Sequence, residues 1–158
     1  VMGMGFSLIN YFEDVYGQKG RSAYVTMYGL KLSGADFMLP TLMDIGISFA
    51  LSPPAYYANG SEVAPSGYII IADSLLVMPI IGGGDFMAYV GVGPFLNYSS
   101  IKIVLANQLL KMDLLKLGAE GMVGLGFRMG SAVFKLEGKY FYDKDAYYGG
   151  TLGIQLSY

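Results

Sequence analysis

Apolar and polar side chains alternate along most of the chain, as in the segment SAVFKLEGKYFYD at residues 131–143. One side of this segment carries only Ala, Phe, Leu, Gly and Tyr, whereas the other includes Lys135, Glu137 and Lys139. A period of two is typical of β-strands, in which successive side chains point to opposite faces. Segments with this pattern, bounded by turn residues, predict eight strands. They cover residues 2–11, 22–32, 37–51, 68–81, 86–98, 114–129, 132–142 and 148–158.

The connections between these strands alternate in length. Short turns with the sequences SGAD, GGGD and GS join strands 2 to 3, 4 to 5 and 6 to 7. Longer segments, of which DKDAY is the shortest, make the other connections. Short turns at one end and long loops at the other are typical of transmembrane β-barrels of the outer-membrane kind.

The hairpin of strands 6 and 7 predicts which face points outward. A two-residue turn at Gly130 and Ser131 sets a register in which apolar residues meet on one face, for example Leu125 with Leu136. On the other face glycines meet long charged side chains, for example Gly124 with Glu137. Charged side chains need such room inside a narrow barrel and not on an open surface. We therefore expect the charged face to point inward and the apolar face to meet lipid.

The composition agrees with a lipid-facing exterior. The chain has 158 residues, of which 54% are hydrophobic and 14% charged, and a mean hydropathy of +0.47. Soluble domains contain roughly 25% charged residues. No segment has the ~18 uninterrupted apolar residues of a transmembrane helix. The sequence thus predicts one all-β domain over residues 1–158, an eight-stranded antiparallel up-and-down transmembrane β-barrel with a filled polar interior.

Charged residues at inward positions of several strands form a predicted lumen network. Such groups are costly to bury unless they pair, so we expect ion pairs that close the lumen to diffusion. The network consists of Lys31, Asp44, Asp73, Lys116, Glu120, Arg128, Lys135, Glu137 and Lys139.

The final segment, TLGIQLSY, resembles the C-terminal assembly signal of bacterial outer-membrane barrels, with Thr151, Gly153, Leu156 and Tyr158 at the corresponding positions. Tyr158 stands where Phe is usual. The glycine-rich segment YVGVGPFLNY at 89–98 also resembles the fifth strand of small barrels. The whole chain is similar to the OmpA/OmpX-like eight-stranded superfamily. This resemblance implies a location in the outer membrane of Gram-negative bacteria, contact with lipid or lipopolysaccharide, and insertion by the barrel assembly machinery.

Several kinds of chemistry are excluded by the composition. The chain has no His and no Cys, so the His-dependent catalysis of lipid-modifying barrels in this superfamily is not available. The net charge of −2 argues against a nucleic-acid partner. We expect no enzyme activity, no cofactor and no metal site. No signal peptide pattern is visible, so we expect a mature, processed chain.

The connection SSIKIVLANQLLKMD is the most unusual segment, because it is richly apolar yet follows an outside strand end. It is predicted to form either a protruding hairpin or an amphipathic helix over NQLLKMDLLKL. Exposed apolar surface usually marks a contact, so we expect a partner-docking loop near residues 99–113. The alternative is a loop that folds over the barrel mouth against Tyr56, Tyr57 and Tyr147. The predicted docking residues are Ile101, Ile103, Leu105, Leu109, Leu110 and Met112.

These observations favour a closed, non-enzymatic outer-membrane barrel that acts as an anchor or interaction scaffold. Its partner would be another protein or a second copy of the chain. A first alternative is a subunit of a larger outer-membrane complex. A second is a soluble lipocalin-like carrier of an apolar ligand, which would point its apolar faces inward and so expose Lys135 and Glu137.

Overall fold

The computed structural model describes residues 2–15, 18–35 and 42–156, with side chains for all of these except 11–15, 18–22, 34–35, 42 and 59–60. Eight strands pair in sequence order, and β1 pairs with β8 to close the barrel. All neighbouring strands are antiparallel. The predicted eight-stranded antiparallel barrel is thereby confirmed. The strands are β1 Met2–Val15, β2 Gln18–Ala35, β3 Leu42–Ala50, β4 Ser66–Gly83, β5 Phe86–Leu105, β6 Gln108–Met129, β7 Ala132–Tyr142 and β8 Ala146–Leu156.

The β6–β7 hairpin has the register that its turn sequence predicts. Gly130 adopts a φ of 63°, which glycine tolerates without a steric penalty, and Met129 pairs with Ala132 directly beside it. Leu125 pairs with Leu136 further along the same hairpin. The predicted third strand began at residue 37, and its residues 37–41 lie outside the described residues.

The β5–β6 hairpin is longer than predicted, because its strands continue to Leu105 and from Gln108. The two-residue turn consists of Ala106 and Asn107, with φ values of 49° and 59°. Of the two predicted forms of this segment, the protruding hairpin is confirmed and the amphipathic helix is wrong. Repeated cross-strand pairing of apolar residues, such as Ile103 with Leu110, extends the sheet in place of a helix.

The outward face of the barrel is apolar, as predicted. Its exposed side chains include Met4, Phe6, Leu125, Leu136 and Ile154, and Tyr24, Tyr68, Tyr140, Tyr142 and Tyr148 lie toward the long-loop end. Aromatic residues at such a level are typical of the membrane–water interface. A soluble carrier of an apolar ligand would have the opposite arrangement, with the apolar faces of its strands pointing inward. Within the described residues, no helix has the length and hydropathy to cross a membrane.

The interior has two layers of different chemistry. Near the short-turn end it contains the buried charged residues, together with Ser33, Gln155 and a small apolar cluster of Leu75, Val77, Tyr89 and Met122. Near the long-loop end a continuous apolar cluster fills it, and this layer was not predicted. The cluster comprises Ile9, Val25, Met27, Ala50, Tyr56, Tyr57, Ile69, Ile71, Phe95, Ile101, Ile103, Phe141 and Tyr147. The polar filling expected from the sequence therefore occupies only part of the barrel.

Candidate functional site

A first group of buried charges centres on Glu137 of β7. Its carboxylate accepts two hydrogen bonds from Lys31 Nζ, at 2.8 and 2.9 Å, and one from the Tyr89 hydroxyl at 2.8 Å. Lys31 Nζ also lies 3.4 Å from Asp44, and Lys135 Nζ lies 3.9 Å from the same Asp44 oxygen. Four strands are tied together across the lumen in this way. Buried charges are costly unless they are paired, so loss of any one member of this group should destabilise the barrel.

A second group lies one layer further toward the long-loop end. Lys139 Nζ is 2.8 Å from Glu120 and 3.1 Å from Asp73. All three residues are buried, and they come from β7, β6 and β4. The ammonium thus bridges two carboxylates that would otherwise repel each other. Between the two groups the structure leaves a cavity of about 40 Å³, lined in part by Asp73, Lys139 and Glu137. This volume holds only a few water molecules.

Two residues of the predicted lumen network lie apart from these groups. Arg128 is exposed near the short-turn end, where its backbone N–H donates to Asp85, so its prediction as a lumen charge is wrong. The alternation that points it inward holds, but the strand ends one residue later and the side chain reaches the open mouth. Lys116 shares the inward face of β6 with Glu120 and is half-buried. The other seven predicted residues are brought together in the two groups.

The apolar cluster closes the barrel a second time, above the charges. Phe95, Phe141 and Tyr147 pack with ring centroids 5.1 to 6.2 Å apart. A 3-10 helix at Ala55–Gly60, between β3 and β4, contributes Tyr56 and Tyr57, and both rings are buried. We therefore interpret the charged groups and this cluster as two seals in series, one ionic and one apolar.

The six predicted docking residues divide between two environments. Ile101 and Ile103 are each 1% exposed, because they point inward and pack with Tyr56 and Tyr57. They contribute nothing to an exposed surface, so their assignment to docking is wrong, and they anchor the hairpin instead. Leu105 and Met112 pack half-buried against the same cluster. Leu109 and Leu110 are exposed, at 67% and 42%.

One edge of the β5–β6 hairpin is open. Pairing of β6 with β7 ends at Ala119 with Tyr142, whereas pairing with β5 continues to Gln108. Residues 108–118 of β6 therefore have a strand neighbour on one side only among the described residues. Exposed strand edges offer unpaired N–H and C=O groups to other chains. Sequence reasoning missed this edge, although the shortness of DKDAY beside a long neighbouring loop was its visible signal.

An exposed ion pair lies on this edge. Lys111 Nζ is 2.9 Å from Asp113, and both side chains face outward beside Tyr68 and Tyr98. Hydrogen bonds from the Ser100 hydroxyl and then from Lys111 lower the pKa of Asp113. Its hydrogen bond with Asp113 raises the pKa of Lys111. Both groups are therefore charged at neutral pH and offer one positive and one negative point to a partner.

The predicted assembly-signal residues lie on β8 where the structure describes them. Thr151 faces inward and its hydroxyl is 2.8 Å from that of Ser7. Gly153 pairs with Gly5 of β1, and Leu156 faces outward. Tyr158 lies outside the described residues. The signal's role in assembly stays a prediction.

No family model and no curated protein matches the sequence. Solved structures do match its fold over nearly the whole chain. Neisserial surface protein A (NspA) is 9% identical with a TM-score of 0.66, and the match covers 99% of this chain and 96% of that one. Ail, the attachment invasion locus protein of Yersinia pestis, is 15% identical with a TM-score of 0.62, covering 97% and 92%.

The N-terminal β-barrel domain of OprF from Pseudomonas aeruginosa gives 14% identity and a TM-score of 0.56, covering 97% and 93%. These likenesses show the fold, which is that of the eight-stranded OmpA/OmpX-like outer-membrane barrels. The apolar outward band of this chain meets the physical requirement of that fold in a membrane. The chain therefore has the fold of these outer-membrane β-barrels.

Proposed function

We propose that this outer-membrane barrel is a non-enzymatic surface scaffold that docks a protein partner through the open side of its β5–β6 hairpin. The observation that carries the proposal is the unpaired edge of β6 at residues 108–118, whose exposed Leu109 and Leu110 lie beyond the level of Tyr68 and Tyr98. Apolar side chains beside unpaired backbone groups are unfavourable unless something covers them.

The closed lumen supports a role outside the barrel. The Lys139 group and the aromatic cluster fill successive layers of the interior, and the cavity between the charge groups is small. Transport through the barrel would require both layers to separate. The absence of His and Cys also removes the commonest general base and the thiol nucleophile.

One structural neighbour gives limited further support. The Yersinia pestis protein Ail is an attachment invasion locus protein by name, and it has been solved with the heparin analogue sucrose octasulfate. The name of that protein refers to attachment. We extend to this chain only the general idea of a surface-contact barrel, because the hairpin carries leucines and an ion pair where a polyanion would require a basic cluster.

Site-directed photo-crosslinking tests the docking role. The chain has no Cys, so Leu109→Cys and Val63→Cys each give one attachment point for a benzophenone maleimide on intact bacteria that display the barrel. Leu109 lies on the open edge, whereas Val63 is exposed on the opposite, covered side of the hairpin, next to Glu62. We expect a discrete protein adduct from position 109 and none from position 63.

Matched substitutions complete the experiment. Leu115→Ser in the Leu109→Cys background should remove the adduct while the barrel keeps its resistance to SDS before boiling. An equal adduct from both positions, or an adduct that survives Leu115→Ser, would contradict docking through this edge. Adduct loss together with lost SDS resistance would instead report a damaged barrel, in which case Leu117→Ser serves as a second exposed substitution.

A further inference from the structure

The backbone geometry determines which groups of β6 are open. Positive φ at both Ala106 and Asn107 is the type I′ turn of a two-residue hairpin, so Leu105 and Gln108 form a hydrogen-bonded pair. Such pairs alternate along an antiparallel ladder. The odd-numbered residues of β6 therefore aim their N–H and C=O groups away from β5. Up to Ala119 these groups meet β7, and from 117 to 109 they meet no strand among the described residues.

The other edge of the same hairpin is covered. Ser66 and Gly67 of β4 pair with β5 at Lys102 and Ile101. Beyond β4, the Glu62 N–H donates to Val104 O at 2.9 Å, and the Val104 N–H donates to Ser61 Oγ at 3.1 Å. The hairpin can therefore accept a new strand on the β6 side alone.

A notch in the barrel wall leaves room for that strand. Pairing of β1 with β8 ends at Asn10 with Tyr148, yet β1 continues in its ladder with β2 to Glu13. β6 and β1 thus both rise beyond the short β7–β8 turn that separates them. Their separation is three strand spacings of about 4.8 Å, or roughly 14 Å. One or two added strands fit between them.

The edge side chains define the chemistry of the occupant. Leu109, Lys111, Asp113 and Leu115 share the outward face of the open edge and are all exposed. Leu110 and Leu114 lie on the inward face and are also partly exposed. Favourable cross-strand pairs are apolar with apolar and acid with base. An antiparallel occupant would therefore place an apolar, a basic, an acidic and an apolar residue at alternate positions.

We infer that the β6 edge at residues 109–115 takes up an extended segment of another polypeptide as an added antiparallel strand with this alternating pattern. The inference rests on the proposed docking function and names its partner class. Strand addition of this kind draws affinity from main-chain hydrogen bonds and specificity from alternate side chains. Four edge residues, each in a hydrogen-bonded pair, would form about eight backbone hydrogen bonds with the occupant.

A second barrel in the same membrane does not fit this edge. Two barrels inserted in the same direction are related by a two-fold axis along the membrane normal. Strands in such barrels tilt about 35–45° from that normal. Rotation about that axis keeps the component of each strand direction along the membrane normal and reverses only the component in the membrane plane. The two β6 edges would therefore cross, so they could not pair as antiparallel strands. The occupant is therefore a segment that is free to orient itself.

A blocked peptide with the sequence QLLKMDLLK is a suitable probe. It copies residues 108–116 and so has the required pattern, with its Asp opposite Lys111 and its Lys opposite Asp113. The control peptide QLLDMKLLK has the same composition but sets like charges opposite each other. Binding to the barrel in lipid nanodiscs would be followed by fluorescence anisotropy. We expect the control to bind about tenfold more weakly, and the barrel variant K111D/D113K to reverse the preference.

Backbone methylation separates strand addition from other modes of binding. Methylating the backbone nitrogen of the peptide's first Lys, which lies opposite Asp113, blocks an N–H that faces β6, so binding should be lost. Methylating the nitrogen of the adjacent Met blocks an N–H that faces away, so binding should persist. Equal effects of the two methyl groups would overturn strand addition. A preference for QLLDMKLLK would indicate parallel pairing and would overturn the inferred antiparallel strand.

Two outcomes distinguish this inference from the proposed function. If the photo-crosslinked adduct at position 109 persists while the peptide shows no dependence on methylation, docking stands and strand addition fails. If no adduct forms at all, the proposed function fails first. Disulfide-linked barrels formed by Met112→Cys in nanodiscs that hold two copies would assign the edge to a second copy and overturn the inference.

Discussion

Gly124 and Tyr89 form the contact in the lumen whose perturbation can be calculated most directly. The two residues are cross-strand partners on β5 and β6, and a Cβ on Gly124 would collide with the tyrosine ring. The ring has little freedom to retreat. Its hydroxyl donates to Glu137 at 2.8 Å, and Lys135 Nζ lies 5.4 Å from its centroid. Gly124→Ala should therefore force a methyl group into filled space.

The cost follows from either of two responses. If the ring stays, overpacking destabilises the barrel by about 1–3 kcal/mol. If the ring moves, the hydrogen bond to the buried carboxylate is lost, which costs about 1.5–3 kcal/mol. Gly121→Ala is the matched control, because Gly121 faces outward on the same strand and nothing lies within 4 Å of its added Cβ. That change should be neutral or stabilise the barrel by about 0.5–1 kcal/mol, the usual gain when Ala replaces Gly within a strand.

Urea unfolding in lipid vesicles would measure both free energies. The chain has no Trp, so circular dichroism and unboiled SDS gel mobility are the appropriate signals. We expect Gly124→Ala to be less stable than Gly121→Ala by roughly 1–4 kcal/mol. In a Tyr89→Leu background the cost of Gly124→Ala should be smaller, since the smaller side chain makes room. Equal stability of the two single variants would refute the description of Gly124 as the space that accommodates the ring.

Three further predictions follow from the charges and faces. Leu136→Arg on the lipid-facing surface should cost about 2–4 kcal/mol of unfolding free energy in vesicles, whereas Leu109→Arg above the membrane should cost little; equal costs would contradict the assigned faces. Planar-bilayer recordings should show no stable conductance, and a reproducible ohmic channel would contradict the two seals. Ser100→Ala should raise the pKa of Asp113 in an NMR titration, since the Ser100 hydroxyl is the largest cause of its lowering. Because that pKa is lowered, the stabilisation from Asp113 is present above the ordinary carboxyl range and is lost as the pH falls through the lowered value.

The β6–β7 hairpin shows what the sequence could predict. Its Gly-Ser turn and the apolar pairs beside it fix one register, because a slip of one residue would move every side chain to the wrong face. The β5–β6 hairpin lacked such a signal. Ala106 is an uncommon residue at positive φ, so the sequence could not decide between a hairpin and a helix for this segment. The fifth strand was therefore predicted to end too early, at residue 98, and the sixth to begin too late, at residue 114.

The interior shows why the remaining features were missed. Alternation reveals that Ile9, Val25 and Phe95 point inward, but it carries no information on the level at which each strand meets its neighbours. That level depends on the stagger of all eight strands. The stagger places these three residues in the large apolar cluster near the long-loop end and the charged groups nearer the short turns. The pairing of Gly124 with Tyr89 was missed for a related reason. Sequence reasoning considered its β7 neighbour Glu137 but not its β5 neighbour.

Burial of Ile103 has a consequence for the open edge. Its side chain and that of Ile101 fix the hairpin to the aromatic cluster, so the edge at Leu109–Leu115 is held extended before any partner arrives. A preformed edge avoids the ordering cost that a flexible loop would incur on binding. Ile103→Ser should therefore weaken binding of the QLLKMDLLK peptide although Ile103 cannot touch it.

Amide hydrogen exchange supplies the accompanying structural measurement. In Ile103→Ser the hairpin amides of residues 101–112 should exchange faster, while those of β7 stay protected, because the loosened region opens locally without unfolding the barrel. Val104→Ser is the matched control, since Val104 is the next residue on the same strand and faces outward. If both variants bind the peptide equally well, the inner face of the hairpin does not organise its edge, and affinity resides in the exposed residues alone.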